Sequence, residues 1–509
     1  MRGAVANGIG KITAVGVWFF LTPFVLATIG VDGYALWVLV GALFSYGMLL
    51  ELGIGGAVIK YVAEHIARGD RDGARSLVAG AVWLYLALAI IAVLMSAAVA
   101  PGLPSVLGVD VAEQRTASWL IALTGLNVAV AISIVPASAV LRGLQRYDLH
   151  NAVVAVNTLV EAAAIVGVLL AGWGLVGMLV ALIAVNVATG LATVGLVSRI
   201  APDLPIGLRG ASIASIRRIV SFSTSVFAIQ AGTRLQNRAA EFVIAALHAL
   251  SGVTPYALAR KLAELSESMA VQFLTVILPV ASELDAGQDR ARLRTLYITA
   301  SRLALATVAP AAVVLIVLGS VILRVWVGPD FAEHAPLVTV LAVAVLLATS
   351  QRPAVEILLG MAQHRVVAVT SVAAGAANIV LSILLLPLLG LLGVAVGTLV
   401  PSAIAAFCVV MPFAQRQLRI SLRTALQDVW APALVPAVPA MALLWELQRH
   451  VAAPDVPVLL AWIVATVAVY AAGYLSMPAT TAERRLVRDG VTGGSRYLWR
   501  LVPRVSRLI

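Results

Sequence analysis

Five polar side chains, Gln230, Arg234, Asn237, Arg238 and Glu241, fall within an apolar stretch, Phe222 to Leu250, that is long enough to cross a bilayer. At about 100° per residue they share one stripe roughly 100° wide, with Val226, Phe227, Leu235, Val243 and Ile244 largely on the other faces. A charge at the bilayer centre costs on the order of 2.5–3.5 kcal/mol, so two arginines in one span are expected to face protein or water. The guanidinium fork matches phosphate oxygens, so this pair suits an anion. Arg234 and Arg238 are the candidate anion ligands, with Gln230 and Asn237 as amide partners for hydroxyl-rich cargo. The competing structural reading pairs one arginine with Glu241 to pin the bundle.

A second stripe holds Tyr256, Arg260, Glu264 and Glu267, with Lys261 to one side. Arg260 and Glu264 have i,i+4 spacing, which serves a cavity wall or a plain ion pair. Lys11 stands 23 residues before Tyr34, as Arg234 stands 22 before Tyr256. That places a cation at similar depth in two helices, unless Lys11 snorkels to the membrane surface. Glu161, mid-span beside Asn157, and Glu51 are acidic candidates for coupling or gating, the first as a proton carrier, the second as gate or helix packing. Arg302 and the pair Arg352/Glu356 are further intramembrane charges, and the spacing of that pair predicts a salt bridge. Gly53-Ile-Gly55-Gly56 has no strand before it and reads as close helix packing, not as a nucleotide loop. The sequence offers no Walker lysine, nucleophile elbow or His/Cys metal cluster, so neither an enzyme nor a cofactor is expected.

The elements that must position these residues are membrane helices. In 509 residues, 61% are hydrophobic and 12% charged, and the mean hydropathy is +1.01. These values predict an all-α polytopic membrane protein. Apolar runs of about 20 residues predict fourteen spans, centred near Trp18, Leu43, Leu88, Ala129, Ile165, Val185, Ala231, Met269, Ala311, Ala342, Ile379, Ala403, Pro439 and Thr466. The net charge of +11 is almost wholly arginine and reads as cytoplasmic-loop charge against anionic lipid; no nucleic-acid module is present. The single cysteine, Cys408, excludes an intrachain disulfide. Loops after the even-numbered spans are basic, including Arg68, Arg71 and Arg75, then Arg142 and Arg146, then Arg199, Arg209, Arg217 and Arg218. The positive-inside rule therefore predicts both termini in the cytoplasm.

The chain also repeats. Tyr34-Ala-Leu returns as Tyr256-Ala-Leu, and Arg68-Gly69-Asp70 as Gly287-Gln288-Asp289. Pro136 and Pro353, like Gly143 and Gly360, are 217 residues apart. Six spans separate the members of each pair, which predicts two parallel six-helix repeats, 1–208 and 209–425. Residues 426–509 add two further transmembrane helices and a basic tail. Substrate sites in such folds lie where the repeats meet, and access alternates by rocking.

With Gly33-Tyr34-Ala35-Leu36-Trp37, Glu51-Leu52-Gly53-Ile54-Gly55, Tyr61-Val62-Ala63-Glu64 and Tyr256-Ala-Leu-Ala259-Arg-Lys261-Leu in order, residues 1–425 resemble a known family. It is the polysaccharide (O-antigen type) flippase family of the multidrug/oligosaccharidyl-lipid/polysaccharide exporter superfamily. The resemblance implies export of lipid-linked oligosaccharide on undecaprenyl pyrophosphate from the cytoplasmic to the outer leaflet of a bacterial inner membrane. It also implies polysaccharide polymerase or assembly proteins as partners. A peptidoglycan-precursor flippase and a cation-coupled drug exporter are the alternatives. A membrane polymerase or ligase would usually need a large outer loop, and the outer loops here are short.

Overall fold

The computed structural model describes the backbone of residues 2–51, 53–274, 276–451, 454–481 and 483–484. Side chains are described over the same stretches except 2–15, 221–226, 228, 237, 269 and 271–273. Among the described residues every regular element is helical.

The order is α1 (Arg2–Gly47), α2 (Ile54–Ala67), α3 (Arg71–Val99), α4 (Leu103–Val106), α5 (Gln114–Gly143), α6 (Tyr147–Leu170), α7 (Gly174–Ile200) and α8 (Ile213–Leu247). There follow α9 (Val253–Leu274), α10 (Ile277–Ala286), α11 (Arg290–Val327), α12 (Ala335–Gly360) and α13 (His364–Leu389). Next come α14 (Leu391–Ile404), running through a π-helical turn into α15 (Met411–Gln417), and α16 (Leu422–Ala425). A second π-helical turn leads to α17 (Ala431–Leu434), and α18 (Ala437–His450) and α19 (Val456–Ser476) complete the order.

Eleven helical stretches among the described residues are long and apolar enough to cross a membrane, where the sequence predicted fourteen. Two features account for the difference. The first stretch, Gly16–Glu51, is interrupted at Gly30, whose φ of 74° and ψ of −179° break the helix where only glycine is at ease. And α8 and α9, which carry the charges singled out above, are not among the eleven.

By contact, the chain divides into Met1–Thr254 and Pro255–Ile509. In the first unit α3 packs along α5, α5 along α7, and α6 against α1 and α7. Ile54, Val62, Leu77, Tyr85, Ile132 and Leu141 fill its core. Here α8 lies against α1, α2 and α3, although the sequence repeat groups it with the helices that follow. In the second unit α11 packs along α12, and α13 along α14. The added helices α18 and α19 cover α11 through Val313, Leu318, Leu444, Trp462 and Tyr470.

The duplication is visible in local geometry. Asp70 N–H bonds to His65 O at 2.9 Å and Gly69 N–H to Ile66 O at 3.1 Å; Asp289 N–H bonds to Leu284 O at 2.9 Å and Gln288 N–H to Asp285 O at 3.0 Å. These are matched Schellman turns, with Gly69 and Gln288 in the left-handed region at φ 70° and 55°. Asp70 and Asp289 then cap the next helices, accepting from Gly73 N and Arg292 N. Gln145 (φ 60°) and Ala362 (φ 58°), 217 residues apart, close a second matched pair. Gly143 and Gly360 are equivalent in their packing as well. A Cβ at Gly143 would lie 2.8 Å from Val62 Cγ1 and 3.3 Å from Ile59 O; one at Gly360 would lie 2.7 Å from Ala281 Cβ and 3.0 Å from Leu278 O. In each half a helix end closes on the short helix before it, at a point with no room for a side chain.

Candidate functional site

The stripe on α8 is positioned from the helix's first turns. Ser212 caps it, accepting from Ser215 N at 3.1 Å. The helix starts at Ile213, earlier than the apolar pattern indicated, so Arg217 and Arg218 belong to it and not to a loop. Arg218 Nη2 donates to both oxygens of Glu64 at 3.1 and 3.2 Å, and its guanidinium lies 4.2 Å over the Tyr61 ring. Glu64 also takes Arg68 at 2.9 Å. The Tyr61…Glu64 signature is thus the seat that holds the start of α8. The preceding connection is strapped to α3: Trp83 Nε1 donates to Leu208 O at 3.1 Å and Arg75 Nε to Asp203 O at 3.2 Å, while Arg71 pairs with the Asp203 carboxylate.

Sixteen residues beyond Arg218, about 24 Å along an α-helix, is Arg234. Its Nη1 donates to Ser45 O at 2.9 Å and to the Ser45 hydroxyl, so α1 orients it. Close by, the short 3-10 turn Met48–Glu51 packs against α3, α5 and α8. The Glu51 carboxylate faces the Gly55 N–H, the Tyr85 hydroxyl and the guanidiniums of Arg142 and Arg234. Sequence reasoning placed Arg142 in a basic loop. It lies instead in the last turn of α5, half-buried, with Nε on Ser138 O at 3.4 Å. Its position one residue before the repeated Gly143 was the available signal. Among the described residues neither Arg142 nor Arg234 forms a direct ion pair. Two guanidiniums and one carboxylate therefore share a half-buried locus with a net positive charge.

The other predicted residues are arranged differently. Arg238 lies 3.9 Å from Glu241, whose side chain is fully buried. This is the pinning geometry weighed against a cavity role. Gln230 is half-buried on α8. Lys11 and Asn237 are in α1 and α8, and their side chains lie outside the described residues. Glu161 is half-buried beside Asn157, whose amide oxygen accepts from the Thr189 hydroxyl at 2.5 Å.

In the second unit Arg260, largely buried, stands 3.6 Å from Glu264. Arg352 takes Glu267 on α9 as its partner at 2.8 Å, not Glu356 one turn along its own helix as its spacing predicted. Tyr256 and Thr398 hydroxyls lie 3.3 Å apart, and Asn378 Nδ2 donates to Thr398 at 3.1 Å. Arg302 is buried against Glu483, with Nε and Nη2 on one carboxylate oxygen at 3.0 and 2.5 Å and Nη1 on Asp428 O at 3.0 Å. An open apolar groove of about 770 Å³ runs along α11 and α18, lined by residues including Ala312, Ile316, Val438, Met441 and Trp445.

These elements define a polytopic α-helical membrane protein with the fold of the transporters of the multidrug/oligosaccharidyl-lipid/polysaccharide exporter superfamily. The chain belongs to the polysaccharide biosynthesis protein family, whose model matches residues 34–336. The chain resembles the lipid II flippase MurJ in an inward closed conformation, at 12% identity and TM-score 0.72, over 96% of this chain and 99% of that one. It also resembles an inward-facing multidrug resistance MATE family transporter, at 14% identity and TM-score 0.70, over 82% of this chain and 98% of that one. A transporter of the same superfamily from Pyrococcus furiosus matches at 15% identity and TM-score 0.62, over 82% and 96%. No curated protein matches the chain in sequence.

Proposed function

We propose that this protein flips a lipid-linked oligosaccharide, carried on undecaprenyl pyrophosphate, from the cytoplasmic to the outer leaflet for surface polysaccharide synthesis. It acts by alternating access and leaves its cargo chemically unchanged. The observation that supports this most is the guanidinium pair of Arg142 and Arg234, without direct ion-pair partners among the described residues and placed where helices meet. A pyrophosphate crossing hydrocarbon needs such groups, because an uncompensated buried charge is prohibitive. The sugar hydroxyls need replacement hydrogen bonds, each worth roughly 2–7 kcal/mol if left unmade in an apolar medium; Gln230 and Asn237 are assigned to them. The prenyl chain stays in the lipid phase, for which the groove along α11 and α18 offers a matching surface.

In this reading α1 counts as two spans, split at Gly30, and α8 and α9 also cross, which gives fourteen. The arginine-rich loops and both termini then lie in the cytoplasm of a bacterium, and 1–208 and 209–425 are the duplicated halves. Arg238, Arg260 and Lys11 are secondary cations of the path, with Glu161, Glu241 and Glu264 as coupling or gating carboxylates. The family description and the flippase likeness favour a polysaccharide precursor over a drug.

The test is surface glycan in a strain whose own copy is replaced by Arg234→Ala/Arg238→Ala. Glycan is lost while the protein stays in the membrane; normal display by that variant overturns the assignment. A second reading, a peptidoglycan precursor, shares the prenyl pyrophosphate and is favoured by the likeness to the lipid II flippase over 96% of the chain, the added helices included. Survival of a strain depleted of its lipid II flippase, on expression of this protein, distinguishes the two.

A further inference from the structure

The locus between α1, α3, α5 and α8 contains its own anion. Glu51 sits at the end of the turn after α1, and α2 starts with glycines beneath it. A Cβ at Gly55 would lie 2.5 Å from Glu51 Oε1 and 3.5 Å from the Tyr85 hydroxyl oxygen, so the absence of a side chain there is what makes space for the carboxylate. The charged or titratable groups that face it are Tyr85 from α3, Arg142 from α5 and Arg234 from α8. No direct ion pair closes this set among the described residues, although Arg234 is already fixed by Ser45 and Arg142 by Ser138. A carboxylate thus lies in the field of two oriented guanidiniums without being bonded to either.

We propose that Glu51 is a resident counter-ion that holds the place of the cargo phosphate between Arg142 and Arg234 and competes with it for them. This rests on the reading of Arg234 as an anion ligand, adds Arg142 to that site, and gives the Glu-Leu-Gly-Ile-Gly signature a task. The physical need is clear in the unloaded protein. Two uncompensated cations in a low-dielectric bundle are costly, and removing their only anion at each release would make the return step the difficult one. A tethered carboxylate covers part of that charge when the phosphate leaves and repels the phosphate when it is present. Binding is weaker and release faster than the arginines alone would give.

The experiment uses the full-length protein in nanodiscs, with farnesyl pyrophosphate and inorganic pyrophosphate as probes. Like-charge repulsion over a few ångströms in a partly buried site is strong enough that Glu51→Gln should bind both probes about tenfold more tightly or better. In proteoliposomes the same variant should move a fluorescent undecaprenyl-pyrophosphate disaccharide about tenfold more slowly, because release is impaired. Arg142→Gln and Arg234→Gln should each lose at least about tenfold in affinity for the probes. Gly55→Ala, which displaces the carboxylate without changing any charge, should shift affinity in the same direction as Glu51→Gln and carries the test if that variant does not fold. Loss of binding in both arginine variants with no gain in Glu51→Gln or Gly55→Ala overturns the counter-ion assignment and leaves the anion site standing. Unchanged binding in both arginine variants overturns the anion site itself, and the counter-ion with it.

Discussion

At the scale of single residues, the buried Arg302 and the half-buried Arg234 are separated by their surroundings. Arg302 is enclosed by Glu483 and the Asp428 carbonyl, with only 7% and 9% of the paired side chains exposed. Removing one partner of such a pair strands a charge. Arg302→Ala should therefore destabilise the protein by about 3–5 kcal/mol, whereas the double change Arg302→Met/Glu483→Leu should recover most of that loss. Thermal unfolding in detergent reads both, and equal destabilisation by the single and double variants would contradict the pairing. Arg234, by contrast, donates its hydrogen bonds to Ser45 of α1 and has no carboxylate in direct contact among the described residues. Arg234→Lys keeps the charge but not the fork, and should lower surface glycan display while leaving the melting temperature within a few degrees. Of these residues the sequence disclosed type and depth but not partner. Ser45 and Arg234 are 189 positions apart, Arg302 and Glu483 181, and no periodicity reports such distances. Arg352 shows the limit most directly: its spacing named Glu356, and packing supplied Glu267.

At the scale of elements, what was legible is what local chemistry dictates. The repeated Gly143 and Gly360 prove to be matched contacts, and Gly69 and Gln288 matched turns, because a left-handed residue or a missing Cβ is fixed by the backbone within a few residues. Gly143→Ala and Gly360→Ala should each cost on the order of 1–3 kcal/mol, since the new atom meets Val62 in one case and Ala281 and backbone in the other. The two losses should be similar if the duplicated contacts carry similar weight. Ala362 holds φ 58° where an alanine is strained, so Ala362→Gly should gain about 1 kcal/mol, measured in the same melts. Asp70 offers a pH signature of the same turns. The Gly73 N–H, then His65, holds its carboxyl below the ordinary range. Its contribution is therefore complete above the ordinary carboxylate pKa and disappears as pH falls through the lowered one. Asp70→Asn should lower stability at neutral pH and leave the acid end little changed, so that the fall between them is flatter. What the sequence did not disclose is which helices α8 packs against. By repeat it opens the second half, but the Arg218–Glu64 bonds and the Tyr61 ring, together with the Asp203 and Leu208 contacts of the connection before it, tie it to α1, α2 and α3. Those bonds join residues more than 120 positions apart, beyond the reach of pattern.

For the whole molecule, the decisive quantity is charge across the membrane. The basic loops alternate whether or not α8 and α9 cross, because two helices leave parity unchanged, and counting α1 as two crossings sets the N-terminus on the basic side; if α8 and α9 stayed out of the bilayer, however, the span carrying Arg234 would vanish. Topology is therefore tested at α8. With Cys408→Ser as background, a cysteine at Ser212 should react with an impermeant maleimide only from the cytoplasmic side, and one at Ser251 only from outside. Labelling of both from one side would remove α8 from the bilayer and the guanidinium site with it. If α8 crosses and the cargo is the proposed prenyl pyrophosphate, outward movement of its charge runs down an inside-negative potential, which favours it by about 2.3 kcal/mol per charge per 100 mV. Proteoliposomes given a potassium diffusion potential should then flip the undecaprenyl-pyrophosphate probe faster when the compartment from which it departs is negative, and slower when the sign is reversed. A resident Glu51 does not alter this sign, because it stays with the protein while the phosphate leaves. A rate indifferent to potential would mean that the translocated charge is neutralised in transit by a co-moving cation.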